Sequence, residues 1–185
     1  MRRTTLGAFA LLSCYSLAVR ADDIPNFPGP VAEHELLQRF VGTWDSVGEC
    51  STGPDSEPMI NRATMTSRSV GGRWVVNEMD VDAGGMPVTG LQTLGYDPAK
   101  QKYVGTWVDS MQNHLWVYEG DYDPATKTLV LHTMGPNMMG DGELIPFRDS
   151  YEFVSDDEII SRSEAKTDGE WVEFMKSRLT RKPME

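Results

Sequence analysis

The chain reads as all-β: an antiparallel up-and-down barrel of about ten strands with a short N-terminal capping helix. Three observations predict it. From Thr43 onward, runs of about 8 to 12 residues rich in β-branched and aromatic side chains are separated by turn signals. The tetrapeptide Tyr-Asp-Pro-Ala occurs twice, at Tyr96–Ala99 and Tyr122–Ala125. No helical pattern between strands is long enough to carry a parallel crossover. Closing such a meander into a barrel removes its exposed edges.

The N-terminus comes first. Met1-Arg2-Arg3 is basic, Leu6 to Val19 is almost uncharged and apolar, and Val19-Arg20-Ala21 has a small-x-small spacing. This predicts a secretory signal peptide over residues 1–21. The run is short for a membrane span, which needs roughly 20 apolar residues. A lipoprotein with Cys14 as the lipidated residue is the minor alternative, since Leu11-Leu12-Ser13-Cys14 fits such a box loosely. Residues 22–30, rich in Pro and Asp, read as a flexible mature N-terminus. Residues 31–185 then form one domain, large enough for a sizeable core. The expected location is periplasmic or secreted.

Charge and cysteine content narrow the function. The net charge is −11, and loss of Arg2, Arg3 and Arg20 with the leader makes it about −14. So acidic a domain is repelled by nucleic acid, and no membrane span is expected beyond the leader. Cys50 is the one cysteine left after cleavage, so no internal disulfide is expected. It reads as a small buried residue rather than a nucleophile, because no histidine base lies near it in sequence.

Along the domain, Leu36, Leu37, Phe40 and Val41 give residues 31–41 an apolar face suited to a short capping helix. Strands are expected near 43–50, 60–70, 72–82, 88–96, 102–110, 114–122, 127–133, 145–155, 158–166 and 170–181. The two Tyr-Asp-Pro-Ala turns lie two strands apart, which places them at one end of the barrel. In each, Asp caps the turn backbone and Pro presets φ. Gly71-Gly72, Gly84-Gly85 and Thr167-Asp168-Gly169 mark further reversals. Alternation does not assign the inner face. Tyr103, Gly105 and Trp107 share one side and Val104, Thr106 and Val108 the other, and both are half-apolar.

Phe40-Val41-Gly42-Thr43-Trp44 resembles the first strand of the calycin barrels, the lipocalins and fatty-acid-binding proteins. In those barrels a Gly-x-Trp opens the sheet and the indole plugs one end. The resemblance implies that Gly42 and Trp44 close the barrel, and that Arg178 or Arg181 on the last strand packs on Trp44 as a cation–π partner. A wider set of motifs covers nearly the whole domain: His34-Glu35-Leu36-Leu37, Gly71-Gly72-Arg73-Trp74, Gly95-Tyr96-Asp97, Tyr103 to Met111, Glu119-Gly120 and Leu179-Thr180-Arg181-Lys182. Together they are similar to a bacterial family known only as a domain of unknown function, grouped with calycin-like barrels and often exported. That resemblance implies a fold and no activity.

The candidate chemistry is sparse. His34-Glu35 lacks the second histidine of a zincin, and neither His114 nor His132 belongs to a metal-ligand spacing, so no metal is expected. The nitrobindins, a calycin-like group, bind haem through a histidine near the C-terminal end of the barrel. The last strand here has none, so no haem or other cofactor is expected. Met138-Met139 in a loop fits no regular copper array. No nucleophile or phosphate-binding motif appears, so no catalytic residue is assigned. Glu78, Asp109 and Glu119 fall within strands. Trp74 shares a face with Glu78, and Trp107 with Asp109. Such pairs suit a ligand with an apolar body and a polar or cationic end.

The expected function is binding of a small apolar or amphipathic ligand inside the barrel. Trp74, Trp107 and Trp116 would form the wall and Glu78 and Asp109 the polar anchors. Two other classes stay open: an isomerase or hydrolase using a buried carboxylate, and a filled barrel acting as an interaction module.

Overall fold

The computed structural model describes residues 28–51, 57–137 and 142–183. The leader, most of the N-terminal segment and Met138-Met139 lie outside the described residues. One helix, α1 (His34–Gln38), precedes ten strands: β1 (Gly42–Cys50), β2 (Met59–Val70), β3 (Trp74–Ala83), β4 (Met86–Asp97), β5 (Lys102–Asp109), β6 (Trp116–Asp123), β7 (Thr128–Pro136), β8 (Leu144–Phe153), β9 (Glu158–Thr167) and β10 (Glu170–Arg181). Each strand pairs antiparallel with the next, and β10 returns to β1 to close the barrel.

The helix is shorter than expected. Phe40 and Val41 donate to the carbonyls of Leu37 and Gln38, so the chain tightens into a turn before β1. β6 begins at Trp116, which leaves His114 in the preceding loop rather than on a strand.

Both Tyr-Asp-Pro-Ala turns sit at the end covered by α1. Asp97 and Asp123 each accept the amide of the alanine two residues on, at 2.9 Å. The Tyr103 hydroxyl, at the same end, donates to the Glu33 carbonyl just ahead of α1.

Strand parity assigns the inner face. Trp44, Met65, Val75, Leu94, Leu129, Leu131, Ile159 and Leu179 are essentially inaccessible and pack with Leu37 and Phe40 beneath the cap. Complete burial of each such side chain contributes about 1.5–3 kcal/mol. This half is a plug filled chiefly by apolar side chains. The outer face is laced with cross-strand ion pairs, among them Arg148–Glu164 at 2.5 Å and Arg162–Glu152 at 3.0 Å. On β10 the register shifts between Glu173 and Met175, and the extra residue, Phe174, packs with the core.

Candidate functional site

Below the plug the interior becomes polar. Asn77 on β3 donates to Gln92 on β4 at 2.9 Å, and Gln92 donates to the Tyr151 hydroxyl on β8 at 2.9 Å. β4 and β8 stand on opposite sides of the barrel. The Asn77–Gln92–Tyr151 chain is therefore a brace across the lumen, and it floors the space toward the uncapped end. On that side Met79, Trp107, Ile145, Ala165 and Phe174 are only partly buried and pack against the core cluster. The interior is filled under the cap and looser at the other end.

One acid lies inside this region. Asp149 on β8 is the inward neighbour of Tyr151, one step toward the uncapped end. Its carboxylate accepts from the Tyr118 hydroxyl at 2.6 Å and from Ser163, its register partner on β9. Burial raises the Asp149 pKa above the ordinary carboxylate range, and the Ser163 and Tyr118 hydrogen bonds only partly oppose it. Burial, then the nearby Asp149 charge, drives the Tyr118 and Tyr151 hydroxyls well above their ordinary value. Both tyrosines stay protonated: Tyr118 donates to Asp149, and Tyr151 accepts from Gln92.

Three of the five tryptophans each cover a glycine on a neighbouring strand. A Cβ at Gly90 would meet Trp107 at 2.0 Å, one at Gly135 would meet Trp116 at 1.9 Å, and one at Gly95 would meet Trp74 at 2.4 Å. The missing side chains let the indoles lie against the sheet. Trp107 and Trp116 are register partners on β5 and β6, and both face inward. They spread in opposite directions, over β4 and β7, and line the looser half. Phe147 meets Trp116 edge-on, with ring centres 5.0 Å apart.

The remaining sequence-predicted residues fall in several places. Trp74 is 41% exposed on the outer face. Glu78 is on that face too, 3.7 Å from Arg68, and does not enter the interior. The pairing of Trp74 with Glu78 is therefore a surface feature. Asp109 is inward but committed: it accepts from the Trp107 indole at 2.9 Å, from the amides of Met111 and Gln112, and from the Gln112 side chain. It orients Trp107 and holds the β5–β6 turn. Glu119 is external and pairs with Lys100 at 2.8 Å. Trp44 is fully buried and donates to the Phe40 carbonyl at 2.7 Å. Arg181 stacks on it, whereas Arg178 points outward to Glu158. Gly42 takes φ +130°, and a Cβ there would meet the Arg181 guanidinium at 2.6 Å.

Sequence reasoning missed Asp149, Tyr118, Tyr151, Asn77 and Gln92. A usable signal was present: Phe147, Asp149, Tyr151 and Phe153 share one strand face, so the acid sits within an aromatic row. Among the described residues no three His, Cys, Asp or Glu side chains come together as a metal site. Cys50 is half-buried, and burial raises its pKa, which disfavours a thiolate. Among the described residues no helix is long and apolar enough to cross a membrane.

Comparison with known proteins gives a family without an activity. Residues 29–181 match the model of DUF1579, described as a protein of unknown function, and the chain belongs to that family. No curated protein sequence matches it. Among solved structures, Rv2717c from M. tuberculosis is similar at 14% identity and a TM-score of 0.61, over 83% of this chain and 99% of that one. The S-type phycobiliprotein lyase CPES from Guillardia theta is similar at 14% identity and a TM-score of 0.56, over 84% of this chain and 95% of that one. At these identities the likeness carries the fold alone.

Proposed function

We propose that this DUF1579 member is an exported barrel of the calycin class that binds one small amphipathic molecule through its uncapped end. One observation carries the reading: the interior is divided by the Asn77–Gln92–Tyr151 brace into an apolar plug and a looser, aromatic-lined half containing an acid. A barrel that served only as a rigid module would have no reason to turn an acid into its interior. An apolar wall with a few convergent polar groups is the usual make-up of a small-molecule site. Trp107, Trp116 and Phe147 supply the wall, and Asp149 with Tyr118 supplies the polar anchor. The groove beside Asp80 and Asp82 does not include this acid, and the groove beside Trp171 reaches Thr133 and Phe147 of the same region.

The test is native mass spectrometry of the protein purified from its own host, before and after denaturation. A reproducible extra mass lost on denaturation supports the reading. A bare mass, with no change in tryptophan fluorescence across a panel of lipids and small aromatics, overturns it. Export is tested separately by cell fractionation and N-terminal sequencing; a chain beginning at Asp22 outside the cytoplasm is expected.

A further inference from the structure

We infer that Asp149 takes the cationic nitrogen of an amphipathic amine, with Tyr118, Trp116 and Thr133 completing its polar surroundings. The inference rests on the ligand-binding reading and specifies its chemistry.

The first argument is charge balance. Among the described residues no lysine, arginine or histidine is paired with Asp149. The basic side chains nearest in sequence, Arg148 and Arg162, lie on the outer face and are taken by Glu164 and Glu152. Inside the barrel only the Tyr118 and Ser163 hydroxyls compensate the carboxylate. A partly buried carboxylate without a counter-charge is costly, and an ammonium group offsets that cost directly.

The second argument is independent. Trp116 Nε1 and Thr133 Oγ1 are buried, with their residues only 6% and 8% exposed, and neither has a hydrogen-bond partner. Thr133 faces inward opposite Phe147, one inward step from Asp149. Native interiors seldom leave such groups unpaired. Here the unmatched donor and hydroxyl belong to Trp116, in ring contact with Phe147, and to Thr133, the register partner of Phe147, the inward residue next to Asp149 on β8. They suit a second polar atom on the same ligand.

Aromatic surface adds to both. Trp107, Trp116, Phe147 and Tyr151 surround this half, and aromatic rings favour a nearby cation. The net charge of −11 also draws cations toward the protein at long range.

The titratable groups facing Asp149 are few. Tyr118 faces it from β6 and Tyr151 from its own strand. β7 contributes Leu131 and Thr133, and β9 contributes Ser161, Ser163 and Ala165, none of which titrates near neutrality. Asp109 lies farther off and acts on Tyr118. An amine binds the ionised carboxylate, so its affinity falls as pH is lowered through the range in which Asp149 takes up a proton.

The experiment is titration calorimetry on the purified full domain with two matched sets: phenethylamine, 2-phenylethanol and 3-phenylpropionate; then octylamine, 1-octanol and octanoate. At about pH 7.5 each amine is expected to bind about tenfold tighter than its alcohol, as one charge-assisted hydrogen bond would supply. The advantage should shrink as the pH is lowered to about 4, where Asp149 takes up its proton. Asp149→Asn should abolish the preference, so that each amine binds no tighter than its alcohol. Alcohols binding as well as amines, acids binding best, or a preference that survives Asp149→Asn would overturn the inference and leave the ligand-binding reading standing. No binding by any of the six compounds would count against both. If Asp149→Asn does not fold, the pH series on the unaltered protein decides: an amine preference that does not weaken between about pH 7.5 and pH 4 overturns the inference.

Discussion

The Arg181 guanidinium lies 4.0 Å from the centre of the Trp44 ring, so the last strand stacks on the first. The same guanidinium donates to three carbonyls: Asp156 at 2.9 Å, Val41 at 2.5 Å and Arg39 at 2.8 Å. One side chain thus joins β10, the β8–β9 turn and the segment between α1 and β1. Gly42 is required here twice over, for its φ of +130° and for the room the guanidinium takes.

Arg181→Met is expected to destabilise the barrel by about 2–4 kcal/mol, the stacking and the stranded carbonyls acting together. Arg178→Met loses only an exposed pair with Glu158 and should cost at most about 1 kcal/mol. Urea denaturation of both variants checks the contrast. Equal losses would show that Arg181 has no special closing role.

Most of the frame was legible because it is written in local signals. Asp-Pro turns, paired glycines and the Phe40–Trp44 run place the strands to within a few residues. The inner face was not legible. Asn77, Gln92 and Asp149 point inward among apolar neighbours, while Val47, Val108 and Val117 point outward. That exchange cancels the period-two contrast on which the assignment depends. Trp74 and Glu78 were drawn into the candidate site for this reason, and Asp149 was passed over beside the external Arg148. The Trp–Gly pairings were also hidden, since they join residues on neighbouring strands and depend on register.

Gly135→Ala and Gly90→Ala test those pairings. Each Cβ would fall within about 2 Å of an indole. The expected cost is about 1–3 kcal/mol, with a changed near-ultraviolet circular dichroism as the ring is pushed off the sheet. Gly29→Ala, where nothing lies within 4 Å of the new Cβ, should leave the spectrum and the midpoint unchanged. Spectra of both inward variants identical to the parent would overturn the account of the wall.

Glu78 and Asp109 now separate clearly. Glu78→Ala removes an exposed acid and should shift stability by less than about 0.5 kcal/mol without altering ligand affinity. Asp109→Ala leaves the Trp107 indole and two turn amides without their acceptor. A loss of about 1–3 kcal/mol follows, together with altered tryptophan emission. Thermal melts and fluorescence spectra of the pair check this. An unperturbed Asp109→Ala emission spectrum would show that the carboxylate does not orient Trp107.

Asp149 gives the pH dependence its sign. Burial raises its pKa in the folded state, so between its unfolded and folded values the native protein holds more protons than the unfolded chain. Its contribution to stability therefore falls as pH rises through that window, opposite to the usual salt-bridged carboxylate. Below the unfolded value the penalty is absent; above the folded value it is complete. Asp149→Asn keeps a group that can accept from Tyr118 but carries no charge. It should be at least as stable as the parent at neutral pH and lack the parent's decline across the window. Urea midpoints measured from about pH 4 to pH 8 on both proteins separate this contribution from that of the surface acids, which the two share. A parent and variant whose midpoints run parallel would mean that Asp149 titrates at its ordinary value, and the interior would then be wet enough to solvate it.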